Sequence, residues 1–337
     1  MITILYASSE QFAPVLRVSL ESLLQNKHAD TFYQIYVMVE TPYSDEIMAL
    51  FAGLEERYLG FSIHWIIMGK QFIRTRTDGG GVGKESNYRL MAAELLPSVD
   101  WCLYLDADTL VLKDLSDLCR LEREPYYILG LRPYYFLDVA TNHYTQAHFD
   151  KFEHMICDVS GRLTYDQYIG AGVMIMNLTK LRADHMVEKF LARVPAYSGP
   201  LDQDILNACC YGYIGELPPA YCIDLNDVSD LAWYRTYFAE RYEQIQQAMA
   251  APYIIHFSDR YKPWRYIGVE YEVTWWHYAF QTPAAEPLWR VLAQRNRTAV
   301  GEGNCERELN QLKSSLSYRL GRVLTWLPRK ILGIMKK

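Results

Sequence analysis

Two carboxylates one residue apart, Asp106 and Asp108, follow the apolar run Leu103-Tyr104-Leu105. At the end of a strand both can point at one hard cation while Ala107 faces away. Oxygen ligands of this kind suit Mn²⁺ or Mg²⁺ bridged to a diphosphate, which would otherwise repel an acidic site. The same triplet is also what a pair of solvated turn aspartates looks like. His256 follows the apolar run of residues 252–255, where its imidazole can serve either the same metal or the core. Lys262, followed by Pro263-Trp264, sets a cation beside a rigid turn and suits a phosphate as a point charge. Asp202-Gln203-Asp204 opens a helical pattern; acids there also suit an ordinary helix start, which has no need of a glutamine between them.

The elements that must carry these residues follow from hydrophobic period. Residues 2–7, 34–39 and 61–68 read as strands, and 12–25 and 44–57 as helices, the βαβαβ rhythm of a parallel sheet with covering helices. A glycine-rich loop at Gly79-Gly80-Gly81 precedes a helix over 86–95 that Pro97 ends, and residues 100–105 form a further strand running straight into Asp106. Ligands of open α/β sheets gather at the carboxyl ends of strands, so Asp106-Ala107-Asp108 stands where chemistry is expected. Residues 132–168 are crowded with aromatics and histidines and lack a period, which predicts long surface structure. Together with the loop around Gly79 to Gly83, part of this stretch is expected to order over a bound ligand. A strand over 171–177 and a helix over 181–194 complete the pattern.

Composition bounds the rest. A chain of 337 residues that is 50% apolar and 22% charged can bury a large core, which excludes disordered and fibrous classes. Met1 to Tyr6 lacks the basic opening of a leader peptide, and no apolar run is long enough to span a membrane. The seven cysteines are odd in number, scattered, and without a CxxC pair, which predicts reduced thiols in a cytoplasm rather than a zinc site. The net charge is −6, yet every charge after Glu308 is basic: Lys313, Arg319, Arg322, Arg329, Lys330, Lys336 and Lys337. An acidic body argues against nucleic acid as a partner. In the tail, Leu316, Leu320, Val323, Leu324 and Leu327 fall at helical spacing beside those cations, with Trp326 among them. That pattern predicts an interfacial helix on an anionic membrane surface, at its inner face. The expected organisation is a catalytic domain over 1–280, a helical extension over 281–311 and a membrane-attachment tail over 312–337.

Four blocks, in order and at matching separations, resemble glycosyltransferase family 8 over most of residues 2–280. They are Tyr6-Ala7-Ser8-Ser9 with Phe12; Arg89 with the Asp106-Ala107-Asp108 motif; Gly170-Ala171-Gly172 with Asp202-Gln203-Asp204; and Ile255-His256-Phe257 with Lys262-Pro263-Trp264. The resemblance implies a GT-A fold, a divalent cation (Mn²⁺, with Mg²⁺ as the other candidate), a UDP-sugar donor and retention of anomeric configuration. It points to hexosyltransferases of bacterial lipopolysaccharide and polysaccharide assembly, with a saccharide acceptor that is lipid-linked. It further implies Asp106, Asp108 and His256 as metal ligands, Lys262 as a diphosphate contact and Arg89 as a donor contact. Asp202 would accept from a sugar hydroxyl, and Gln203 would lie beside the anomeric carbon. Tyr6, Ala7, Ser8, Ser9, Phe12, Ala107, Gly170, Ala171, Gly172 and Asp259 would line the donor. Two departures leave the donor open: the family commonly carries an acid where Ser9 stands and asparagine where Gly170 stands, the latter change making room for a bulkier sugar. An Asp-x-Asp-Thr-Leu string also resembles haloacid-dehalogenase phosphatases, but those carry it on the first strand with a glycine inserted. A nucleotidyltransferase would need a glycine-rich basic loop after the first strand. A nucleotide-sugar-binding scaffold without transfer activity is the remaining alternative.

Overall fold

The computed structural model describes residues 1–70, 83–134, 137–138, 143–144, 168–194 and 202–300. Within them the strands are β1 (Ile2–Ala7), β2 (Tyr33–Val39), β3 (Phe61–Ile67), β4 (Trp101–Asp106), β5 (Thr109–Val111), β6 (Ile128–Gly130), β7 (Leu137–Asp138), β8 (His143–Tyr144), β9 (Val173–Asn177), β10 (Ile214–Glu216), β11 (Ile223–Asp224) and β12 (Ile254–His256). Seven of them form the main sheet in the order β10-β6-β9-β4-β1-β2-β3. β1 pairs in parallel with β2 and β4, β2 with β3, and β10 with β6, whereas β9 runs antiparallel to both β4 and β6. The sheet is thus mainly parallel, as the sequence pattern predicts, with one reversed strand between its halves.

β1 reads as a near-continuous apolar run because it is central and covered on both faces. The helix Ala13–Gln25, with Pro14 in its first turn, covers one face. Its burial is so complete that Arg17 and Glu21 are also inside, paired at 2.7 Å, with Tyr58 donating to Glu21 at 2.7 Å. A second, three-stranded sheet in the order β11-β12-β5 branches off where the chain turns at Asp106-Ala107-Asp108. Behind it lies a cluster rich in tryptophan, including Trp264, Trp275 and Trp276. The helix Ala285–Val300 buries Leu288 and Leu292 in that same cluster.

Local detail departs from the periodic reading in three places. The helix expected over 44–57 is broken by Gly53, whose φ of +77° suits glycine, into Asp45–Met48, Ala49–Phe51 and Leu54–Arg57. The segment expected as a helix over 86–95 is mostly a tight 3₁₀ turn, Lys84–Met91, with only Ala92–Leu95 α-helical. The helix expected over 181–194 starts earlier, because the Asn177 side chain caps it by accepting from Lys180 N at 2.9 Å. His185 at φ +52° then splits it into Leu178–Ala183 and Met186–Arg193. The glycine loop at Gly79 to Gly81, most of 132–168 and the basic tail over 312–337 lie outside the described residues. Among the described residues no helix is long and apolar enough to cross a membrane, and none of the cysteines is disulfide-bonded.

Candidate active site

The geometry at the end of β4 follows from strand register. Asp106 is the last residue of β4, and its backbone N–H donates to Gly172 O at 2.7 Å. β5 begins at Thr109, and β12 lies antiparallel to it with His256 opposite Thr109, which brings the histidine back over the Asp106-Ala107-Asp108 turn. One ligand atom from each of Asp106, Asp108 and His256 falls within 4.8 Å of the others. His256 Nε2 is 3.4 Å from Asp108 Oδ1 and 3.7 Å from Asp106 Oδ2. Two carboxylates and an imidazole facing one point form a donor set that fits Mn²⁺ or Mg²⁺.

Asp224, which the sequence reading did not single out, orients the histidine. It sits opposite His256 on the parallel neighbour β11, and its Oδ2 is 2.9 Å from His256 Nδ1. Asp224 also accepts from Ser258 Oγ at 2.5 Å and from Asn226 N at 2.8 Å; burial acts to raise its pKa, but His256 above all, with these two bonds, holds it below the usual carboxylate range. An ionised carboxylate only accepts, so Nδ1 carries the hydrogen of this bond and Nε2 faces the two aspartates. Burial works against a charge on His256, but its bonds to Asp108 and Asp224 outweigh burial and push its pKa up to about 10. Burial likewise acts to raise Asp108, yet Lys262 and His256 hold it well below the usual range. Lys262 Nζ bonds both Asp108 and Phe257 O. Lysine and imidazolium charge thus both face the Asp108 carboxylate.

A second group of residues joins at Asp106. Arg89 is 4% exposed, donates to Asp106 Oδ1 at 2.8 Å, to Ser86 O at 2.9 Å and to Ala171 O, and lies 4.2 Å over the Tyr104 ring. Tyr104 also donates to Asp106, at 2.9 Å. Asp202 is buried with its Oδ2 2.9 Å from Arg89 Nε, but that N–H is directed at Ser86 O. Asp202 Oδ2 and Ser86 Oγ have no hydrogen bond of good geometry, although Ser86 lies close enough to favour the ionised carboxylate. Burial pushes the Asp202 carboxyl up to about 6, with Arg89 opposing and Asp106 adding to the rise.

The helix Asp202–Cys209 ties the strand entry at 168–172 in place. Gln203 Oε1 accepts from Ala171 N at 2.9 Å and its Nε2 donates to Tyr168 OH at 3.1 Å. Tyr168 in turn donates to Asp204 at 2.5 Å, and Asn207 bonds both the N–H and the carbonyl of Ile169 at 2.8 Å. Asp204 and Asn207 are thus positioning residues, a role invisible in the sequence beyond their place in the helix. Gly172 is the close-approach glycine: a Cβ there would stand 2.2 Å from the His256 ring. At Gly170 a Cβ would meet nothing nearer than Leu131 O at 3.6 Å, so there is room.

The remaining expected donor residues fall along the same edge with unequal access. Ala7 is the register partner of Asp106. Tyr6 is fully buried with its hydroxyl 3.1 Å from Ser19 Oγ, which leaves only its main chain for a ligand. Ser8 N–H donates to Met38 O at 3.0 Å, and Tyr43 donates to Ser9 O at 3.2 Å, fixing that loop. Ser9 and Phe12 are half-buried, Phe12 edge-on to Trp264 at 5.8 Å. Ala107 is buried, and Asp259 is exposed in a left-handed turn at φ +47°. A cavity of about 120 Å³ opens between Gly170, Gly172, Gln203, Asp224, Asp227 and His256. A larger one, about 860 Å³ beside Phe238 and Arg241, shares no lining residue with it and lacks the acidic and histidine cluster.

Residues 3–268 match the model of the family described as glycosyl transferase family 8. General stress protein A of Bacillus subtilis is 24% identical over 270 residues, 77% of this chain and 86% of that protein. A Haemophilus influenzae protein named as a glycosyltransferase is 22% identical over 214 residues, 63% of this chain and 60% of its own length. Among solved structures, the apo bifunctional glycosyltransferase WbbM aligns with a TM-score of 0.72 at 16% identity, over 86% of this chain and 51% of WbbM. The galactosyltransferase LgtC, solved with donor and acceptor sugar analogues, aligns with a TM-score of 0.67 at 20% identity, over 84% of this chain and 96% of LgtC. At such identities the structural likeness speaks to the fold.

Proposed function

The chain belongs to glycosyl transferase family 8 and has the GT-A fold of its structural neighbours, and on that premise we propose that it is a metal-dependent, retaining transferase that moves a hexose from a UDP-sugar to a saccharide acceptor. The observation that carries this reading is the convergence of Asp106, Asp108 and His256 beside Lys262, with Gln203 lining the same cavity as His256 and Asp202 held behind Asp106 by Arg89. Mn²⁺ is the cation we assign there, Mg²⁺ the alternative; once bound it would neutralise the donor diphosphate and stabilise it as the leaving group. Lys262, within reach of the same point, adds a positive charge on the departing phosphate. Arg89 already serves Asp106, Asp202, Ser86 and Ala171, so its role is to hold the two carboxylates in place. Asp202, whose Oδ2 has no aligned donor, takes a donor hydroxyl. Gln203 presents its carboxamide, already anchored by Ala171 N–H, beside the anomeric carbon. A glutamine is a poor nucleophile, so retention proceeds by front-face displacement: the C1–O bond to phosphate breaks as the acceptor oxygen bonds C1, and the acceptor's proton passes to the leaving phosphate. Calorimetry tests the reading: UDP should bind tightly with Mn²⁺ present and weakly with chelator. Tight binding without any metal would overturn the metal-dependent part. Donor turnover would separate the transferase from a binding scaffold, and the family match leaves a phosphatase without support.

Two substitutions probe the supporting residues. Asp224→Ala removes the partner of His256 Nδ1 without touching the cation point, and Mn²⁺ affinity should fall about ten- to a hundredfold with the fold retained. Unchanged affinity would deny Asp224 that role. For Asp202, a carboxyl raised to about 6 in the folded chain against an ordinary 3.8 binds protons more readily folded than unfolded. The cost of burying its charge is therefore absent below about pH 4 and fully felt above pH 6, reaching about 3 kcal/mol. Asp202→Asn should abolish most transfer, yet melt no lower than the parent at pH 7. A melting temperature depressed at pH 7 would show that the charge stabilises the fold.

We further propose that the acceptor is lipid-linked and that residues 312–337, outside the described residues, attach the protein to the inner face of a membrane. The support is the interleaving of basic and apolar residues in that segment. Binding to anionic vesicles should weaken with salt and vanish when residues 312–337 are deleted, with donor turnover spared; indifference of the full chain to such vesicles at low salt would refute it.

A further inference from the structure

Resting on the transferase reading above, we propose that Asp227 binds the acceptor's attacking hydroxyl. The helix Leu225–Ser229 starts directly after β11, capped by Asp224, whose side chain accepts from Asn226 N at 2.8 Å. Asp224 and Asp227 are three residues apart on that turn and line the same cavity of about 120 Å³ as Gln203, Gly170, His256 and Ser258. The strand register that fixes Asp224 on His256 thus also fixes Asp227 beside the reacting edge.

The electrostatics of Asp227 set it apart from its neighbours. It is 3% exposed, and Tyr234 donates to its Oδ1 at 2.5 Å. Tyr234 is the one hydrogen-bond partner found for this carboxyl among the described residues, which leaves Oδ2 with acceptor capacity. Burial and the neighbouring Asp224 push the carboxyl up to about 7, with Arg241 opposing. An oxygen left open to the cavity can take a hydrogen-bonding ligand, and a hydroxyl satisfies either protonation state of the carboxyl. Asp227 is not one of the three residues whose ligand atoms converge on the cation point, so a hard cation does not take that place. Asp202, by contrast, belongs to the Arg89 and Asp106 side and does not line this cavity. Asp227 therefore meets the cavity at Gln203 while Asp202 lies on the Arg89 side, and with Asp202 assigned to the donor we take Asp227 as the carboxyl left for the acceptor.

The test uses the full chain with Mn²⁺, UDP-glucose and UDP-galactose as donors, and lactose and methyl β-galactoside as acceptor probes. Donor hydrolysis without acceptor is measured alongside transfer. In Asp227→Ala, transfer at low acceptor should fall about ten- to a hundredfold, mainly through acceptor KM, while donor hydrolysis and UDP affinity stay within about twofold. Asp227→Asn, whose carbonyl still accepts, should keep more acceptor affinity than Asp227→Ala. Hydrolysis falling in step with transfer would place Asp227 on the donor or in the fold and overturn the assignment, as would unchanged transfer. A parent protein that turns over no donor at all would instead sink the transferase reading itself.

Discussion

Asp106→Asn is expected to lower transfer about a thousandfold or more while leaving the melting temperature nearly unchanged. The substitution keeps the shape, and an amide oxygen at Oδ1 still accepts from Arg89 at 2.8 Å and Tyr104 at 2.9 Å. Arg89 retains Asp202 as its charged partner, so no buried cation is stranded. What is lost is the negative charge at Oδ2, 3.7 Å from His256 Nε2, where the cation is expected. An amide is a weak ligand for a hard divalent ion, and loss of several kcal/mol of leaving-group stabilisation corresponds to about three or more powers of ten. Steady-state release of UDP and calorimetric Mn²⁺ titration measure the two effects. Parent-like turnover in Asp106→Asn would mean that Asp106 holds no essential metal.

Gly172→Ala is expected to be nearly as damaging for a different reason. The new methyl would stand 2.2 Å from His256 Cε1 and 2.7 Å from Nε2, distances no real contact tolerates. The ring cannot easily retreat, because Nδ1 is held by Asp224 and the side chain is almost enclosed. Nor can the backbone move freely, since Gly172 O accepts the Asp106 N–H at 2.7 Å. Either adjustment displaces a ligand, so Mn²⁺ affinity should drop at least about tenfold, with about 1–3 kcal/mol lost in stability from overpacking. Gly170→Ala is the matched control: its methyl meets nothing nearer than 3.6 Å and should leave both stability and metal binding intact. If the two alanine variants behave alike, the close approach of Gly172 to His256 is not what positions the ligand.

The contrast between these glycines shows what a sequence can carry. Asp106, Asp108, His256 and Lys262 stand out by residue type and by their places after apolar runs, which leave a structural reading open for each; the resemblance singles them out as one site, and the structure brings them together. The alternation of strands and helices over the first seventy residues is equally local, and β1 to β3 form where the pattern puts them. Asp224 is not legible, because its partner lies on another strand and meets it only when β11 pairs with β12. The reversal of β9 likewise depends on what lies on either side of it in the sheet. Arg89 reads as a ligand contact by resemblance, while its burial under Asp106, Asp202 and the Tyr104 ring emerges only from packing. The broken helices at Gly53 and His185 are settled by single left-handed residues that a periodic reading averages away.

The most direct test of the central claim is UDP release from a panel of UDP-sugars by the full chain, without acceptor, with Mn²⁺ and then with chelator. The convergence of Asp106, Asp108 and His256 predicts slow, saturable release with Mn²⁺ for at least one hexose donor, abolished by chelator and restored by added metal. Release that persists unchanged under chelator, or the absence of release from every donor with metal present, would contradict it.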